Sequence, residues 1–388
     1  MTDPAGRILT THAGSLPRPP ALTALFARRA RGETIDQAAL AREIEAATRW
    51  VVPRQLAAGI DVPNNGEQTR EAFFLYVQRR MSGFAPGGTR ADPADLARYP
   101  GVLAMRRRFP AGDAPRVSNF EVPRVVGPVR YLDPMAVETE CADFRRILAE
   151  AAPAGCPAFL TAPSPGIVAA SVPNAHYATF DAYLDALAEA LRVEYEAIVA
   201  HGFLLQVDCP DLALERHVTY AERPVGEFLD FVDAVVAAIN RALRNIPPER
   251  VRLHVCWGNY EGPHDLDVPL AEILPRILAA RVGCLVLPFA NPRHAHEYRL
   301  VTPERWGPAR RIVAGVIDTT TNYVEHPEVV ADRICRVAET LGDPARVLAG
   351  TDCGFDTAAG MGKVAEDVVW AKLAALAEGA RLASARLF

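Results

Sequence analysis

Short apolar runs alternate with longer alanine- and leucine-rich amphipathic segments along most of this chain, and few folds accommodate that alternation. The runs lie near Ile8–Thr11, Gly59–Pro63, Ala158–Thr161, Phe203–Asp208, Val251–Cys256, Cys284–Phe289, Ile312–Ile317 and Arg346–Gly350. Helical segments are predicted at Ile35–Ala57, Phe180–Ala200, Val225–Arg244, Leu270–Ala280, Pro327–Leu341 and Lys363–Leu382, several with apolar residues at i, i+3, i+4 and i+7. From the fourth run onward the strand–helix unit recurs every roughly 30–50 residues, the rhythm of a (β/α)8 TIM barrel. The predicted fold is therefore α/β, a barrel whose reactive groups sit at the C-terminal ends of the strands. The stretch at about 84–151 departs from the rhythm: it carries Pro/Gly-rich turns, the arginine run Arg106–Arg108 and a β-like segment around Val117–Val129. It reads as an insertion after the second strand. No low-complexity linker divides the chain, so residues 1–388 read as a single barrel domain.

Composition narrows the function classes. A net charge of −5 and a pI near 6.0 argue against a general nucleic-acid footprint, which needs a basic domain. No apolar stretch approaches the roughly 20 residues that span a bilayer. The start, Met1-Thr2-Asp3-Pro4-Ala5-Gly6-Arg7, lacks the pattern of a secretory signal. Seven cysteines without dense spacing read as reduced thiols, so the cytoplasm is the expected compartment.

Soft-metal donors stand at the ends of predicted strands. His254 and Cys256 close the run Val251-Arg252-Leu253, and Cys353 follows Val347-Leu348-Ala349-Gly350-Thr351-Asp352. In a strand, residues i and i+2 share a face, so His254 and Cys256 can reach one ion. Two thiols and an imidazole suit Zn2+, and three protein donors leave a position for water or substrate, the arrangement of a catalytic site. There is no Gly-x-Gly-x-x-Gly loop, and Gly360-Met361-Gly362-Lys363-Val364 lacks the features of a phosphate loop. Cys141, Cys156, Cys209, Cys284 and Cys335 read as ordinary small buried residues.

Taken in order, several segments resemble the cobalamin-independent methionine synthase family, in its catalytic C-terminal barrel and short single-domain relatives. They are Thr11-His12-Ala13-Gly14-Ser15-Leu16-Pro17-Arg18, Asn65-Gly66-Glu67-Gln68, Gln206-Val207-Asp208-Cys209-Pro210-Asp211, His254-Val255-Cys256-Trp257-Gly258-Asn259, Phe289-Ala290-Asn291-Pro292-Arg293-His294 and Gly350-Thr351-Asp352-Cys353-Gly354. The resemblance implies zinc held by His254, Cys256 and Cys353, and alkyl transfer to a small thiol. It implies that Glu67 and Asp208 hold the amino group of homocysteine and Ser15 its carboxylate. The bland alternative is that arginines such as Arg18 or Arg70 satisfy these acids. His12 is a proton relay to the leaving group or a buttress of the Gly-Ser turn. Asp318 and Asp352, also at strand ends, orient ligands or arginines; Asp318 is grouped with His12 as catalytic.

One departure stands out. The family places a glutamate ligand where this chain has Pro288. Glu297, His294 or His296 are the nearest substitutes, and on a plain reading they form a solvated helix face. Expected partners are a small-molecule thiol and an alkyl donor: methyl-folate, a methylcorrinoid protein or a small methylated metabolite. Two other readings are an epoxyalkane:coenzyme M transferase type of S-alkyl transfer and a non-catalytic barrel with a degenerate zinc site.

Overall fold

The computed structural model describes residues 6–108 and 114–388; the side chains of the arginine run Arg106–Arg108, residues 109–113 and the segment Met1–Ala5 lie outside what is described. Seven parallel strands form one curled sheet in the order β1 (Leu9–Thr10), β9 (Val347–Thr351), β8 (Arg311–Ile317), β7 (Cys284–Pro288), β6 (Val251–His254), β5 (Leu204–Asp208) and β4 (Phe159–Pro163). The remaining two, β2 (Phe84–Thr89) and β3 (Glu121–Val125), pair antiparallel outside it. The run at Gly59–Pro63, expected as the second barrel strand, is not a regular strand. It nevertheless closes the ring: the Val62 amide donates to the Thr10 carbonyl (3.0 Å) and the Phe159 amide to the Pro63 carbonyl (3.1 Å). Pro63 has no N–H to give, which shortens the ladder on that stave. The result is a (β/α)8 barrel.

Side chains along the strands sort into two layers, as the period of two requires. Leu205, Val207, Leu253, Leu285, Leu287, Ile312, Ala314, Val316 and Ala349 belong to the large core between sheet and helices. Their neighbours point inward. The lower interior is apolar, with Leu9, Cys284, Val286, Val313 and Leu348 in one cluster and Val62, Phe159 and Leu204 in another. Above it the interior turns polar: Arg252 lies 4.0 Å over the Phe159 ring and donates to Thr11 Oγ1 (3.0 Å) and the His12 carbonyl (2.8 Å). That change of character is what sets a polar site on an apolar plug.

The outer helices form where the apolar periodicity predicts them, with ends set by local chemistry. Phe180–Ala200 is capped by the Thr179 hydroxyl, and Gln37–Ala57 begins two residues later than expected because Asp36 caps it. Pro327–Leu341 stops at Gly342, in the left-handed conformation. The helix Met135–Ala151 packs against Gln37–Ala57 and Phe180–Ala200 in the outer ring. The β2–β3 hairpin and the turn of helix Ala94–Arg98 reach across the barrel mouth, where Tyr260 donates to Asp95 Oδ2 (2.6 Å) and Arg90 pairs with Glu215 (2.6 Å). No helix among the described residues is long and apolar enough to cross a membrane.

Candidate metal centre and substrate pocket

A cavity of about 820 Å³ opens at the C-terminal ends of the strands, and Ser15, Glu67, Asp208, His254, Cys256 and Cys353 all line it. Six of the eight residues singled out from sequence therefore meet in one place. Ladder pairing explains part of this: Asp208 sits opposite His254 in the β5–β6 register. β6 itself ends at His254, but the Val255 amide still bonds the Val286 carbonyl (3.1 Å), so the chain runs on along β7 to Cys256.

The donor set fits zinc. Cys256 Sγ and Cys353 Sγ lie 4.0 Å apart, close to the separation of about 3.8 Å that two thiolates have on a tetrahedral zinc. A ligand atom of His254 lies within 4.8 Å of both sulfurs, and all three residues are buried. Charge is prepared for a cation as well. The contact with Cys353 and the His254 imidazole hold Cys256 well below the usual thiol range, as one shared thiolate. Burial opposes a charge on His254, but Cys256 and Asp208 outweigh it and raise its pKa to about 10. The two ring nitrogens face Asp208 Oδ1 (3.1 Å) and the Asp352 carbonyl (3.2 Å). Gln206, inward-facing two residues before Asp208, donates to Asp208 Oδ1 (2.8 Å) and to the Ala13 carbonyl (2.6 Å), fixing the acid against the first strand's loop.

Glu67 is held without being neutralised. Thr161 Oγ1 donates to its Oε1 (3.0 Å), while Oε2 is buried with no hydrogen-bond partner among the described residues. Burial, then the Asp208 charge, pushes its pKa up to about 7. Glu67 also has a left-handed backbone (φ 57°), an uncommon conformation for a side-chain-bearing residue that often marks a functional position. The arginines expected to satisfy the acids are engaged elsewhere: Arg18 pairs with Asp356 (2.9 Å) and Arg70 with Glu140 (3.2 Å). Gly14 lies so close that a Cβ there would stand 2.6 Å from Glu67 Oε1, which is why the Gly-Ser turn needs its glycine.

The other expectations resolve by their hydrogen bonds. His12 accepts from the Gly14 amide at Nδ1 (3.2 Å), so its proton is on Nε2, which donates to Gln55 Oε1 (2.8 Å). Burial lowers its pKa to about 4. Its neutral imidazole supports the Gly-Ser turn, with both ring nitrogens engaged, and it is not among the residues that line the cavity. Asp318 is bonded within its own loop: Oδ1 accepts from the amides of Thr320 (2.9 Å) and Thr321 (2.8 Å) and from both hydroxyls. Asp352 accepts from the amides of Phe289 (3.1 Å), Ala290 (2.9 Å) and Asn291 (2.7 Å), pinning the loop that follows Pro288. Pro288 lies on the inward face of β7 and offers no donor. Its suggested substitutes are otherwise placed. His294 and Glu297 are buried and bonded to each other (2.8 Å), not a solvated helix face, and His296 is exposed. Sequence reasoning passed over Arg252 and Gln206 as positioning groups. Their signal was polar residues at alternate positions, Arg252 with His254 and Gln206 with Asp208, in otherwise apolar strands.

Comparisons with known proteins bear on the fold and the family. No protein-family model matches the chain. A methionine synthase of Sulfolobus acidocaldarius is 24% identical over 357 residues, covering 92% of this chain and 88% of the relative. One from Saccharolobus solfataricus is 23% identical over 377 residues, covering 96% and 94%. Among solved structures, a B12-independent methionine synthase from a Shewanella species superposes with a TM-score of 0.73 at 23% identity, covering 98% of this chain and 99% of that one.

Proposed function

We propose that this chain, which belongs to the cobalamin-independent methionine synthase family, is a zinc-dependent methyltransferase that acts on homocysteine to give methionine. The observation that carries the reading is the juxtaposition, in one cavity, of a Cys256–Cys353 pair 4.0 Å apart with two acids that no arginine among the described residues neutralises. Zinc on His254, Cys256 and Cys353 would supply a lowered thiol pKa, making a thiolate available at neutral pH.

The residues of the chain provide the rest. Glu67 Oε2 and Asp208 give the homocysteine ammonium two carboxylates at the polar mouth of the barrel. Ser15, on the turn that His12 supports, is placed to receive the carboxylate. Asp208 also holds His254, so the acid that meets the ammonium fixes the imidazole that meets the metal. In the transfer the homocysteine sulfur forms a bond to the methyl carbon as the bond to the donor breaks, and the thiol proton goes to the departing donor or solvent. The cavity volume lies within the range of small-molecule sites, and the β2–β3 excursion roofs it, so a small methylated donor fits the mouth. Whether that donor is methyl-folate, a methylcorrinoid or another metabolite is decided by assaying each with homocysteine and zinc-loaded protein in the same experiment. Absence of zinc-dependent methionine formation with all of them, alongside zinc-dependent alkylation of coenzyme M, would replace this reading with S-alkyl transfer to a sulfonate thiol. The proposed site of action is the cytoplasm.

Pro288 yields a separate prediction. It stands on the inward face at the end of β7, where the family carries a glutamate ligand, so Pro288→Glu is expected to restore a fourth donor. Zinc affinity rises by about tenfold or more on chelator competition, and turnover slows because the incoming thiol must displace a carboxylate. Unchanged zinc affinity would show that position 288 does not face the ion.

A further inference from the structure

Behind Trp257, the residue after Cys256, three histidines from three different loops converge on one carboxylate. His264 Nδ1 is 2.8 Å and His294 Nε2 2.7 Å from Asp267 Oδ2, and His217 Nδ1 is 3.2 Å from Asp267 Oδ1. All four side chains are buried, His217 and Asp267 to within 1% of full burial. His217 Nδ1 and Asp267 Oδ1 make no hydrogen bond within the described residues.

The outward nitrogens are all engaged. His294 Nδ1 faces Glu297 Oε2 (2.8 Å), His264 Nε2 the Tyr260 carbonyl (3.0 Å), and His217 Nε2 the Tyr260 hydroxyl (3.1 Å), which itself donates to Asp95 (2.6 Å). A carboxylate, a carbonyl and a hydroxyl oxygen whose own proton goes to Asp95 accept from the outer nitrogens, which fixes each imidazole with its proton outward and its lone pair inward, as in histidines that ligate metals. Three inward lone pairs around a carboxylate repel one another unless a cation joins them. Either several extra protons are buried here, or one divalent ion is. His264, His294 and Asp267 each offer a ligand atom within 4.8 Å of the other two, against about 3.3 Å between the ligands of a tetrahedral zinc, while His217 faces the other oxygen of Asp267 and has to swing inward to join them.

We propose that His264, His294 and Asp267 form a second metal site for a divalent first-row ion such as Zn2+, separate from the pocket centre, with His217 drawn in as the fourth ligand that closes it. Three nitrogens and one oxygen in a buried shell suit zinc or cobalt and leave no open position, the mark of a structural site. The ion joins the turn Glu215–His217, the loop after β6 and the loop after β7. It thereby braces Trp257, whose ring stacks on His294 at 3.7 Å, next to Cys256. His264 holds its inward position with a left-handed backbone (φ 55°).

Metal-stripped protein reloaded with Co2+ tests this without reference to activity. Wild-type protein is expected to take up about two ions per chain. The Cys256→Ser/Cys353→Ser double variant is expected to keep about one, with weak visible bands and no thiolate-to-cobalt charge-transfer absorption. His264→Ala/His294→Ala is expected to keep about one with that absorption intact. The double cysteine variant reads the site without altering it; His217→Gln is a milder second probe should the histidine pair fail to fold. The proposal is overturned if the folded cysteine variant binds no Co2+. It is equally overturned if wild type takes up a single ion and loses none on replacing the histidines, which would mean that protons alone hold the cluster together.

Discussion

Cys256→Ser and Cys353→Ser are each expected to reduce methionine formation by about three orders of magnitude or more, while the barrel stays folded. The size follows from what the pair does. Losing one of three protein donors empties or distorts the centre, and a metal's contribution to charge stabilisation is several kcal/mol, at about 1.4 kcal/mol per tenfold in rate. Folding is spared because the barrel interior beneath the site is filled by Leu9, Cys284, Val286, Val313 and Leu348, and the helix–sheet layer is packed independently of the donors. Zinc content by elemental analysis and far-UV circular dichroism, read beside activity, check both halves. Full activity in metal-free wild type would overturn the assignment of the centre. Full unfolding on metal removal would show that the centre is structural.

Glu67→Gln is expected to weaken homocysteine by about 30- to several-thousand-fold, the 2–5 kcal/mol typical of removing one partner from a buried charge pair. Asp208→Asn weakens it too, but is the less clean probe, because Asp208 also holds His254 and its loss lowers metal affinity by about 10–100-fold. The same Glu67 substitution has an opposite effect on stability. The Glu67 pKa in the fold, about 7, lies above its ordinary value of 4.5, so folding favours the neutral acid. The folded protein therefore binds this proton more tightly than the unfolded chain does. The destabilisation is absent below pH 4.5, grows as pH rises, and is complete above about 7. Glu67→Gln removes it, stabilising unliganded protein at pH 8 by on the order of 3 kcal/mol and changing little at pH 4. Urea unfolding at both pH values measures this, and titration with homocysteine measures the lost affinity. A variant that binds homocysteine as tightly as wild type would remove Glu67 from the ammonium site.

Much of this site was legible because strand-end chemistry is local. His254 and Cys256 are two residues apart, so their shared direction follows from strand geometry alone, and the alternation of apolar runs with amphipathic helices names the barrel that brings Cys353 beside them. The resemblance to a known family then supplied Ser15, Glu67 and Asp208. Sequence did not decide what each polar group is bonded to. His12 and Asp318 look as reactive in a linear reading as Glu67 does. Among the described residues the fold bonds His12 to Gln55 and the Gly14 amide, and Asp318 to its own threonines, and of these three it leaves Glu67 with a buried oxygen that has no hydrogen-bond partner.

The irregular second stave shows the same limit, since Gly59–Pro63 reads as a strand yet closes the barrel with a few isolated bonds around a proline. So does the histidine cluster. His217, Asp267 and His294 are dozens of residues apart, each reads as a loop residue, and no periodicity links them. Hydrophobic patterning and strand-end motifs are written in neighbouring residues, so the sequence alone determined the barrel and singled out its three candidate metal donors. Partnership between distant polar groups depends on three-dimensional closure, where burial removes water and each donor must find an acceptor. Only the tertiary structure decided which histidine is a brace, which acid is left unpaired, and which three loops meet behind Trp257.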